Sequence, residues 1–164
     1  MNRKRAFDPV VDANTRLLIL GSLPGDASLR AAQYYGHPRN AFWRLIGGVI
    51  GRDLAALPYE DRLTALKAAG VGLWDVIASA ERPGSLDAAI RRPDAADLRG
   101  LVASLPKLRA VAFNGGTAAR LGRAVLADPP AGVVLIDLPS SSPAHARPFA
   151  KKAAAWDVLR CPLS

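Results

Sequence analysis

The chain has 164 residues, enough for one domain with a sizeable core. Its single cysteine and two histidines exclude an internal disulfide and the usual thiolate or histidine metal sites. A formal net charge of +8 favours a polyanionic partner, which would be nucleic acid, a membrane surface or a phosphorylated substrate. The alternative is that the charge serves solubility alone.

The sequence predicts neither a membrane-spanning segment nor a secretory signal. No apolar run reaches the roughly 20 residues that span a bilayer. The basic opening MNRKRAFDPV lacks the apolar stretch of a secretory signal. We therefore expect a soluble, cytoplasmic protein with a single domain over residues 1–164, in which residues 1–12 form a flexible or loosely packed segment.

Short apolar runs alternate with segments of helical spacing. The apolar runs predict strands that are buried on both faces, at residues 16–21, 71–77, 108–113 and 132–138. The spacing between them predicts helices at residues 40–49, 59–69, 94–105, 117–126 and 146–159. This alternation is typical of an α/β domain with a mainly parallel sheet and helices on both faces.

Ligands of such sheets bind beyond the carboxyl ends of the strands, so the loops after the four strands are the candidate site. In the first loop, Gly21, Pro24 and Gly25 allow a tight turn whose backbone N–H groups can hold an anion or a ligand. A plain strand-to-loop turn is the alternative. The loop is neither a Walker motif nor a dinucleotide fingerprint.

The stretch QYYGHPRNAFW at residues 33–43 concentrates aromatic residues in a chain that has few of them. Tyr34 and Tyr35 offer ring faces on which a base can stack. Phe42 and Trp43 follow at the start of a helix, where core packing is the expected role. The stretch is therefore either a turn packed on the core or a place where a flat ligand stacks.

Polar side chains accompany these rings and end two of the strands. His37 and Arg39 can approach phosphates, and Asn40 is either a helix N-cap or a catalytic group. Asp75 can accept a hydrogen bond from a ring N–H, or it can brace its loop. Asn114 can reach the same pocket or brace the turn that follows it.

The loop LPSSSPAHAR at residues 138–147 is rich in hydroxyl and N–H groups, which suits contacts to phosphates. His145 and Arg147 follow the serines closely. Pro143 and Ala144 are small enough to form an apolar wedge that enters a base stack. A serine-rich loop that caps a helix is the alternative.

The motifs G-S-L-P-G, Y-Y-G-H-P-R-N-A-F-W, L-W-D-V, F-N-G-G-T-A and L-P-S-S-S-P-A occur in this order between residues 21 and 147. Together they resemble the uracil-DNA glycosylase superfamily. The branch that they resemble most is the hypoxanthine-DNA glycosylase-like group, with kinship to the mismatch-specific uracil/thymine-DNA glycosylases.

The resemblance implies a monomeric three-layer α/β/α sandwich around a four-stranded, mainly parallel sheet, with no cofactor and no metal. It implies a DNA repair enzyme that flips a deaminated base, uracil and/or hypoxanthine, out of DNA. The enzyme would hydrolyse the N-glycosidic bond and leave an abasic site. Such a protein would associate with the nucleoid through DNA.

The resemblance also implies roles for individual residues. Tyr35 would stack on the base, Asn40 would place the attacking water, and Asp75 would accept from the base as an ionised group. Ser140, Ser141 and Ser142 would hold phosphates, and the loop with Pro143, His145 and Arg147 would fill the gap left by the base. From the residues themselves we add Gly21, Ser22 and Leu23 to the catalytic set, Asn114 to the base-binding set, and His37 and Arg39 to the DNA-binding set.

Two positions depart from the pattern of the best-known uracil enzymes. Leu23 stands where their first motif has Asp or Asn, and Leu138 stands where the second motif often has His or Asn. These departures leave open a protein that binds uracil or abasic DNA with little catalysis. A small-molecule nucleotide-binding α/β domain is a further alternative.

Overall fold

The computed structural model describes residues 3–164, apart from the side chain of Arg92. Two sheets are present in this part of the chain. Their strands are β1 (Arg3–Arg5), β2 (Leu17–Gly21), β3 (Val71–Asp75), β4 (Ile77–Glu81), β5 (Arg91–Ala95), β6 (Ala110–Asn114) and β7 (Val134–Leu138). The larger sheet has the order β3-β2-β6-β7, and all of its strands are parallel.

Helices connect the strands and cover both faces of the larger sheet. They are α1 (Asp26–Ala31), α2 (Phe42–Ile50), α3 (Tyr59–Ala68), α4 (Leu98–Ala103), α5 (Gly116–Val125), α6 (Phe149–Trp156) and α7 (Arg160–Leu163). Short 3-10 turns lie at Leu54–Ala56, Asp87–Ala89 and Asp157–Leu159. None of the helices within residues 3–164 has the length and apolar character that a bilayer crossing requires.

Alternate residues of each strand of the larger sheet face opposite cores, as the period of two requires. Leu17 and Ile19 of β2 pack with α2, α3 and Trp156 of α6. Leu18 and Leu20 pack on the other side with α4 and α5. The predicted three-layer α/β/α architecture around a four-stranded parallel sheet is therefore confirmed.

The smaller sheet was not predicted, and it corrects two of the predicted elements. Its strands pair antiparallel in the order β1-β4-β5. The strand predicted at 71–77 is two strands, because the chain turns at Val76, whose N–H donates to the carbonyl of Gly21 at 2.8 Å. The helix predicted at 94–105 begins only at Leu98, where the side chain of Asp97 caps it by accepting from the N–H of Gly100.

Two further helices differ from the prediction. The helix α1 was not predicted, because its six residues are too few for a clear apolar period. The helix predicted from residue 146 begins at Phe149, directly after Pro148, and continues into a 3-10 turn at Asp157–Leu159. Pro148 is the N-cap of this helix, and a proline disfavours the helical conformation for the residue before it, which explains this later start.

The N-terminal segment lies against the strands. Arg3–Arg5 pairs with β4, and the N–H of Val10 donates to the carbonyl of Leu73 at 2.9 Å. The loosely packed segment predicted for residues 1–12 thus includes a strand and an isolated bridge, whereas residues 1 and 2 lie outside the described residues. This pairing places Arg3–Arg5 beside the hairpin that β4 and β5 form.

Candidate active site

A cavity of about 420 Å³ opens at the carboxyl edge of the larger sheet, where the predicted loops meet. The predicted site residues that line it are Gly21, Ser22, Leu23, Tyr35, His37, Asn40, Asp75, Asn114, Ser140, Ser141, Ser142, Pro143 and His145. Arg39 and Arg147 do not line the cavity, and both side chains are exposed. One site therefore brings together residues from all four strand ends.

The turn after β2 has free backbone donors. The N–H groups of Ser22, Leu23 and Gly25 donate to no acceptor within the described residues. The carbonyl groups of Leu23 and Pro24, in contrast, accept hydrogen bonds from the buried guanidinium of Arg82. Since the carbonyls are occupied and the N–H groups are not, this turn can receive an acceptor or an anion from a ligand.

Adjacent tyrosines have different positions. Tyr34 is buried in the core at 3 % exposure, and its hydroxyl donates to the carbonyl of Asp8, so its ring is closed to a base. The ring of Tyr35 lines the cavity and stacks on Phe42 with a centroid separation of 3.9 Å. Phe42 thus supports one face of the Tyr35 ring from the core side.

The backbone of Tyr35 is unusual, because its φ is 54°. A bulky residue with a positive φ is strained, and such strain concentrates at functional sites. The hydroxyl of Tyr35 is buried and has no hydrogen-bond partner within the described residues. Burial first, and Asp75 second, raise the pKa of this phenol, so the hydroxyl stays neutral at physiological pH.

Asp75 ends β3 as a carboxyl group that is 4 % exposed. Its Oδ2 atom has no hydrogen-bond partner in the described part of the chain. Burial and the neighbouring Asp87 raise the pKa of Asp75 from its ordinary 3.8 to about 7, while Arg82 acts in the opposite direction. Above this pKa the carboxyl group is ionised, which is the form that the sequence analysis expects to accept from a base N–H.

Gly21 makes room for both of these polar groups. A Cβ atom on Gly21 would lie 2.7 Å from Oδ1 of Asp75 and 3.1 Å from the hydroxyl oxygen of Tyr35. Real Cβ atoms do not approach a carboxylate oxygen that closely. The glycine at the end of β2 is therefore what allows Asp75 and Tyr35 to sit together over the backbone.

Asn40 precedes the N-cap position of α2, which is Ala41, so the predicted N-cap role is not the one it takes. Its Oδ1 atom accepts a hydrogen bond from the backbone N–H of Phe42 at 3.0 Å, which closes a turn directly before the helix. The same side chain lines the cavity, and its Nδ2 amide has no acceptor within residues 3–164. The contact to Phe42 fixes the side chain while one donor remains open to a ligand.

Asn114 acts on the serine loop. Its Nδ2 donates to the hydroxyl of Ser141 and its Oδ1 accepts from the backbone N–H of Ser141, both at 2.9 Å. The carbonyl of Ser141 accepts from the N–H of Ala41, which joins the loop to the start of α2. Asn114 therefore braces the serine loop, and the same residue also lines the cavity.

Further contacts hold the rest of the serine loop. The N–H of Ser142 donates to the hydroxyl of Ser140 at 3.1 Å, and the carbonyl of Ser142 accepts from the Nζ of Lys152 at 3.2 Å. The indole of Trp156 donates to the carbonyl of Pro139 at 3.0 Å. Helix α6 therefore holds the serine loop through the side chains of Lys152 and Trp156.

The two histidines of the chain line the cavity in different ways. The Nδ1 atom of His37 accepts from the backbone N–H of Arg39 at 3.0 Å, which fixes the ring near the mouth. The Nδ1 atom of His145 has no partner within the described residues. Burial, Lys152 and Arg147 lower the pKa of His145, so the ring is neutral at physiological pH.

Sequence reasoning missed the hairpin of β4 and β5, whose connection contributes Ser85, Leu86 and Asp87 to the cavity lining. The hydroxyl of Ser22 donates to Oδ1 of Asp87 at 2.6 Å, so the hairpin is bonded to the turn after β2. The one available signal was the turn-forming sequence Pro-Gly-Ser at residues 83–85, which is typical of a tight connection.

Comparison with known proteins places this chain in a family. A family model described as the uracil DNA glycosylase superfamily matches residues 9–160. A hypoxanthine DNA glycosylase of Methanosarcina acetivorans is 42 % identical over 95 % of this chain and 97 % of its own length. One of Methanosarcina barkeri is 50 % identical over 69 % of this chain and 72 % of its own.

A solved structure leads to the same family. The solution NMR structure of a protein of Methanosarcina acetivorans, described as a candidate uracil DNA glycosylase, is 41 % identical and has a TM-score of 0.87, with 99 % of this chain and 100 % of that chain covered. The predicted enzyme class, a DNA glycosylase that hydrolyses N-glycosyl bonds, is confirmed by the relatives. The chain belongs to the uracil DNA glycosylase superfamily.

Proposed function

We propose that the cavity receives a deaminated base, hypoxanthine and/or uracil, that has been flipped out of DNA. The protein then hydrolyses the N-glycosidic bond and leaves an abasic site. The observation that carries this proposal is Asp75, a buried carboxyl group that lines the cavity and whose Oδ2 atom has no hydrogen-bond partner within the described residues, beside the free N–H donors of the turn after β2. A site that buries such groups must satisfy them with its ligand.

The edge of a deaminated base complements these groups. Deamination converts an amino group and a ring nitrogen acceptor into a carbonyl and a ring N–H. Ionised Asp75 accepts from the ring N–H, and the free N–H groups of Ser22, Leu23 and Gly25 receive base oxygen atoms. Cytosine and adenine would instead turn a lone pair towards the Asp75 carboxylate, which is unfavourable. The relatives named as hypoxanthine DNA glycosylases support this choice of base.

The bond-breaking step follows from the same arrangement. The bond between C1′ of the sugar and the base nitrogen breaks, and its electron pair leaves with the base. The N–H groups of the turn after β2 stabilise the negative charge that develops on the base. The oxygen of a water held by Asn40 bonds to C1′, and one proton of that water passes to solvent. The base, now free, is protonated from solvent.

Contacts to DNA surround the cavity. Ser140 and Ser142 offer their hydroxyl groups to phosphates, while the buried Ser141 is bonded to Asn114 and holds the loop in place. Arg39 and Arg147 contribute charge outside the cavity. Tyr35 stacks on the base, with Phe42 behind it. We further propose that the protein acts as a monomer.

The direct test is to incubate the purified protein with labelled duplexes that carry hypoxanthine, uracil, xanthine or thymine at one position. Alkali then breaks the strand wherever a base has been released. We expect breaks at hypoxanthine or uracil and none at thymine or at undamaged positions. Retained DNA binding without any strand break would contradict the proposal. It would favour a damage-binding protein, the alternative raised by Leu23 in the first motif.

Gly21→Ala is expected to lower excision by about 100-fold, because the new Cβ displaces Asp75 and the Tyr35 hydroxyl from their positions. The same crowding should lower the free energy of unfolding by ~1–3 kcal/mol. Single-turnover excision and thermal unfolding measure the two effects. Gly116→Ala is the matched control, since a Cβ at Gly116 meets nothing within 4 Å. Full activity of Gly21→Ala would show that the close approach at this glycine is unimportant.

A further inference from the structure

Arg82 follows β4 directly and is one of the largest side chains that the protein encloses. Its side chain has no exposed surface. A buried charge is costly unless it is well paired, yet the acidic partner of Arg82 is distant. Oδ1 of Asp87 lies 3.8 Å from Nη1, beyond hydrogen-bond distance, and the Asp87 side chain is 41 % exposed. This ion pair therefore does not account for the position of the guanidinium.

The donors of Arg82 are directed at backbone carbonyl groups. Nη2 donates to the carbonyl of Pro24, and Nη1 donates to the carbonyl of Leu23 at 3.5 Å. Nε donates to the carbonyl of Gly84 at 3.0 Å, which joins the same guanidinium to the connection between β4 and β5. Two of the three acceptors belong to the turn after β2. Because a guanidinium donates in a rigid fork, these contacts fix the orientation of the peptide groups that accept from it.

The contact to Pro24 orients the donor of the next residue. The carbonyl of Pro24 and the N–H of Gly25 belong to one peptide group, and the described chain has no cis peptide bond. In a trans peptide the carbonyl and the N–H point in opposite directions. Because the carbonyl points to Arg82, the N–H of Gly25 points away from it, and Gly25 lines the cavity. The hydrogen bond also polarises the peptide, which makes the free N–H a stronger donor.

The other two free donors of the turn are fixed in the same way. The carbonyl groups of Gly21 and Ser22 accept from the backbone N–H groups of Val76 and Ile77, at 2.8 and 3.1 Å. These carbonyls share their peptide groups with the free N–H groups of Ser22 and Leu23. Each free donor therefore belongs to a peptide whose carbonyl is held by residues 76–82. Two of the carbonyls are held by neutral backbone groups, and the third is held by a cation.

We propose that Arg82 is a positioning residue for bond cleavage, which orients and polarises the N–H of Gly25 and places a positive charge behind the turn that receives the leaving base. Arg82 does not line the cavity and acts through the peptide of Pro24 and Gly25. This inference rests on the proposed function, because the base must depart with the electron pair of the glycosidic bond. Arg82 also opposes the effect of Asp87 on the pKa of Asp75, and so favours the ionised carboxylate.

Two variants separate the charge of this side chain from its volume. Arg82→Met keeps an apolar stem without charge or donor, whereas Arg82→Lys keeps the charge and one donor group. On the deaminated base that the wild type releases, Arg82→Met should lower the maximal single-turnover rate by about 30-fold or more. The half-saturating protein concentration should not change, because Arg82 acts on the departing charge and not on the DNA. Arg82→Lys should lose about three- to tenfold, because one ammonium cannot reach all three carbonyls.

The leaving base gives a second readout. 5-Fluorouracil forms a more stable anion than uracil, so its departure depends less on stabilisation by the protein. The loss in Arg82→Met should be at least about threefold smaller for 5-fluorouracil than for uracil in the same duplex. Arg52→Met is the matched control, since it removes an exposed arginine outside the cavity lining and should leave both rates unchanged. If hypoxanthine is the only base released, the maximal rate and the half-saturating concentration decide.

The outcomes separate the two proposals. A wild-type protein that releases no base overturns the proposed function and the role of Arg82 with it. If the wild type releases base and Arg82→Met matches its maximal rate, the role of Arg82 is wrong and the proposed function stands. Equal losses on uracil and 5-fluorouracil, with a lower melting temperature, also overturn the role, because they indicate support of the fold alone. If Arg82→Met does not fold, Arg82→Lys replaces it, and an unchanged rate or equal losses on the two bases overturn the role.

Discussion

Replacing Asn40 by alanine is expected to lower single-turnover excision by at least about 100-fold and to leave DNA binding nearly unchanged. The reason is that Asn40 lines the cavity with a fixed side chain whose Nδ2 amide has no other partner within residues 3–164. It would act on the attacking water and not on the phosphates. Single-turnover kinetics at saturating protein, with a gel-shift titration in parallel, measure the two quantities.

The turn contact of Asn40 would also explain a loss of activity, so a second variant is needed. Asn40→Ala removes the hydrogen bond to the N–H of Phe42, which should cost about 1 kcal/mol of stability. Asn40→Ser keeps a side-chain oxygen that can accept from this N–H but lacks the amide. We expect Asn40→Ser to be as stable as wild type and as inactive as Asn40→Ala. Restored excision in the serine variant would assign Asn40 to the turn contact alone.

Asp75→Asn is expected to remove the pH dependence of excision. The pKa of Asp75 is raised to about 7, and the ionised form is the one that accepts from the base N–H. Wild-type kcat/KM should therefore fall towards tenfold per pH unit below about pH 7 and level off above it. The asparagine variant should show a flat profile between about pH 5.5 and 8.5, with a lower plateau because an amide oxygen is a weaker acceptor.

The same substitution should relax the choice of base. An asparagine can turn its amide so that it donates to the ring nitrogen of cytosine, whereas a carboxylate can only accept. We expect Asp75→Asn to lower the ratio of uracil to cytosine excision, measured on otherwise identical duplexes. An unchanged ratio together with an unchanged pH profile would show that Asp75 does not contact the base.

Stability provides a reading of Asp75 that is independent of catalysis. Since the pKa rises from 3.8 in the unfolded chain to about 7 in the folded one, the folded protein holds the proton more tightly. The free energy of unfolding should fall as the pH rises from about 4 to 7, by up to ~4 kcal/mol from this group, and then stay level. The difference between wild type and Asp75→Asn in denaturant melts across this range isolates the effect.

The sequence predicted the larger sheet because its strands are buried on both faces and therefore read as continuous apolar runs. The position of the cavity was also predictable, because parallel strands bring their carboxyl ends to one edge of the sheet. The smaller sheet gave no such signal. Arg91–Ala95 has only one apolar residue, and it becomes a strand because Ile77–Glu81 is there to pair with it. Tertiary pairing of this kind is not visible in local periodicity.

The tyrosine pair shows a second limit of sequence reasoning. Tyr34 and Tyr35 are the same residue type at adjacent positions, and the sequence analysis considered both rings as surfaces on which a base can stack. The positive φ of Tyr35 turns the chain between them, so one ring enters the core and the other lines the cavity. That backbone state depends on the support of Phe42 and on the space above Gly21. Contacts between residues far apart in sequence therefore decide which tyrosine can meet a ligand.

The serine loop is held by two hydrogen bonds between Asn114 and Ser141 and by contacts to α6. It therefore has little conformational entropy to lose when it binds the backbone of DNA. In a complex, most of the deformation would then occur in the DNA, which must bend and open a base pair to fit the rigid loop. The rate at which the protein binds a lesion would increase with the ease of that base-pair opening. A lesion in a weakly paired or mismatched position should be found faster than the same lesion in a strong pair, before any atom of the cavity has touched it.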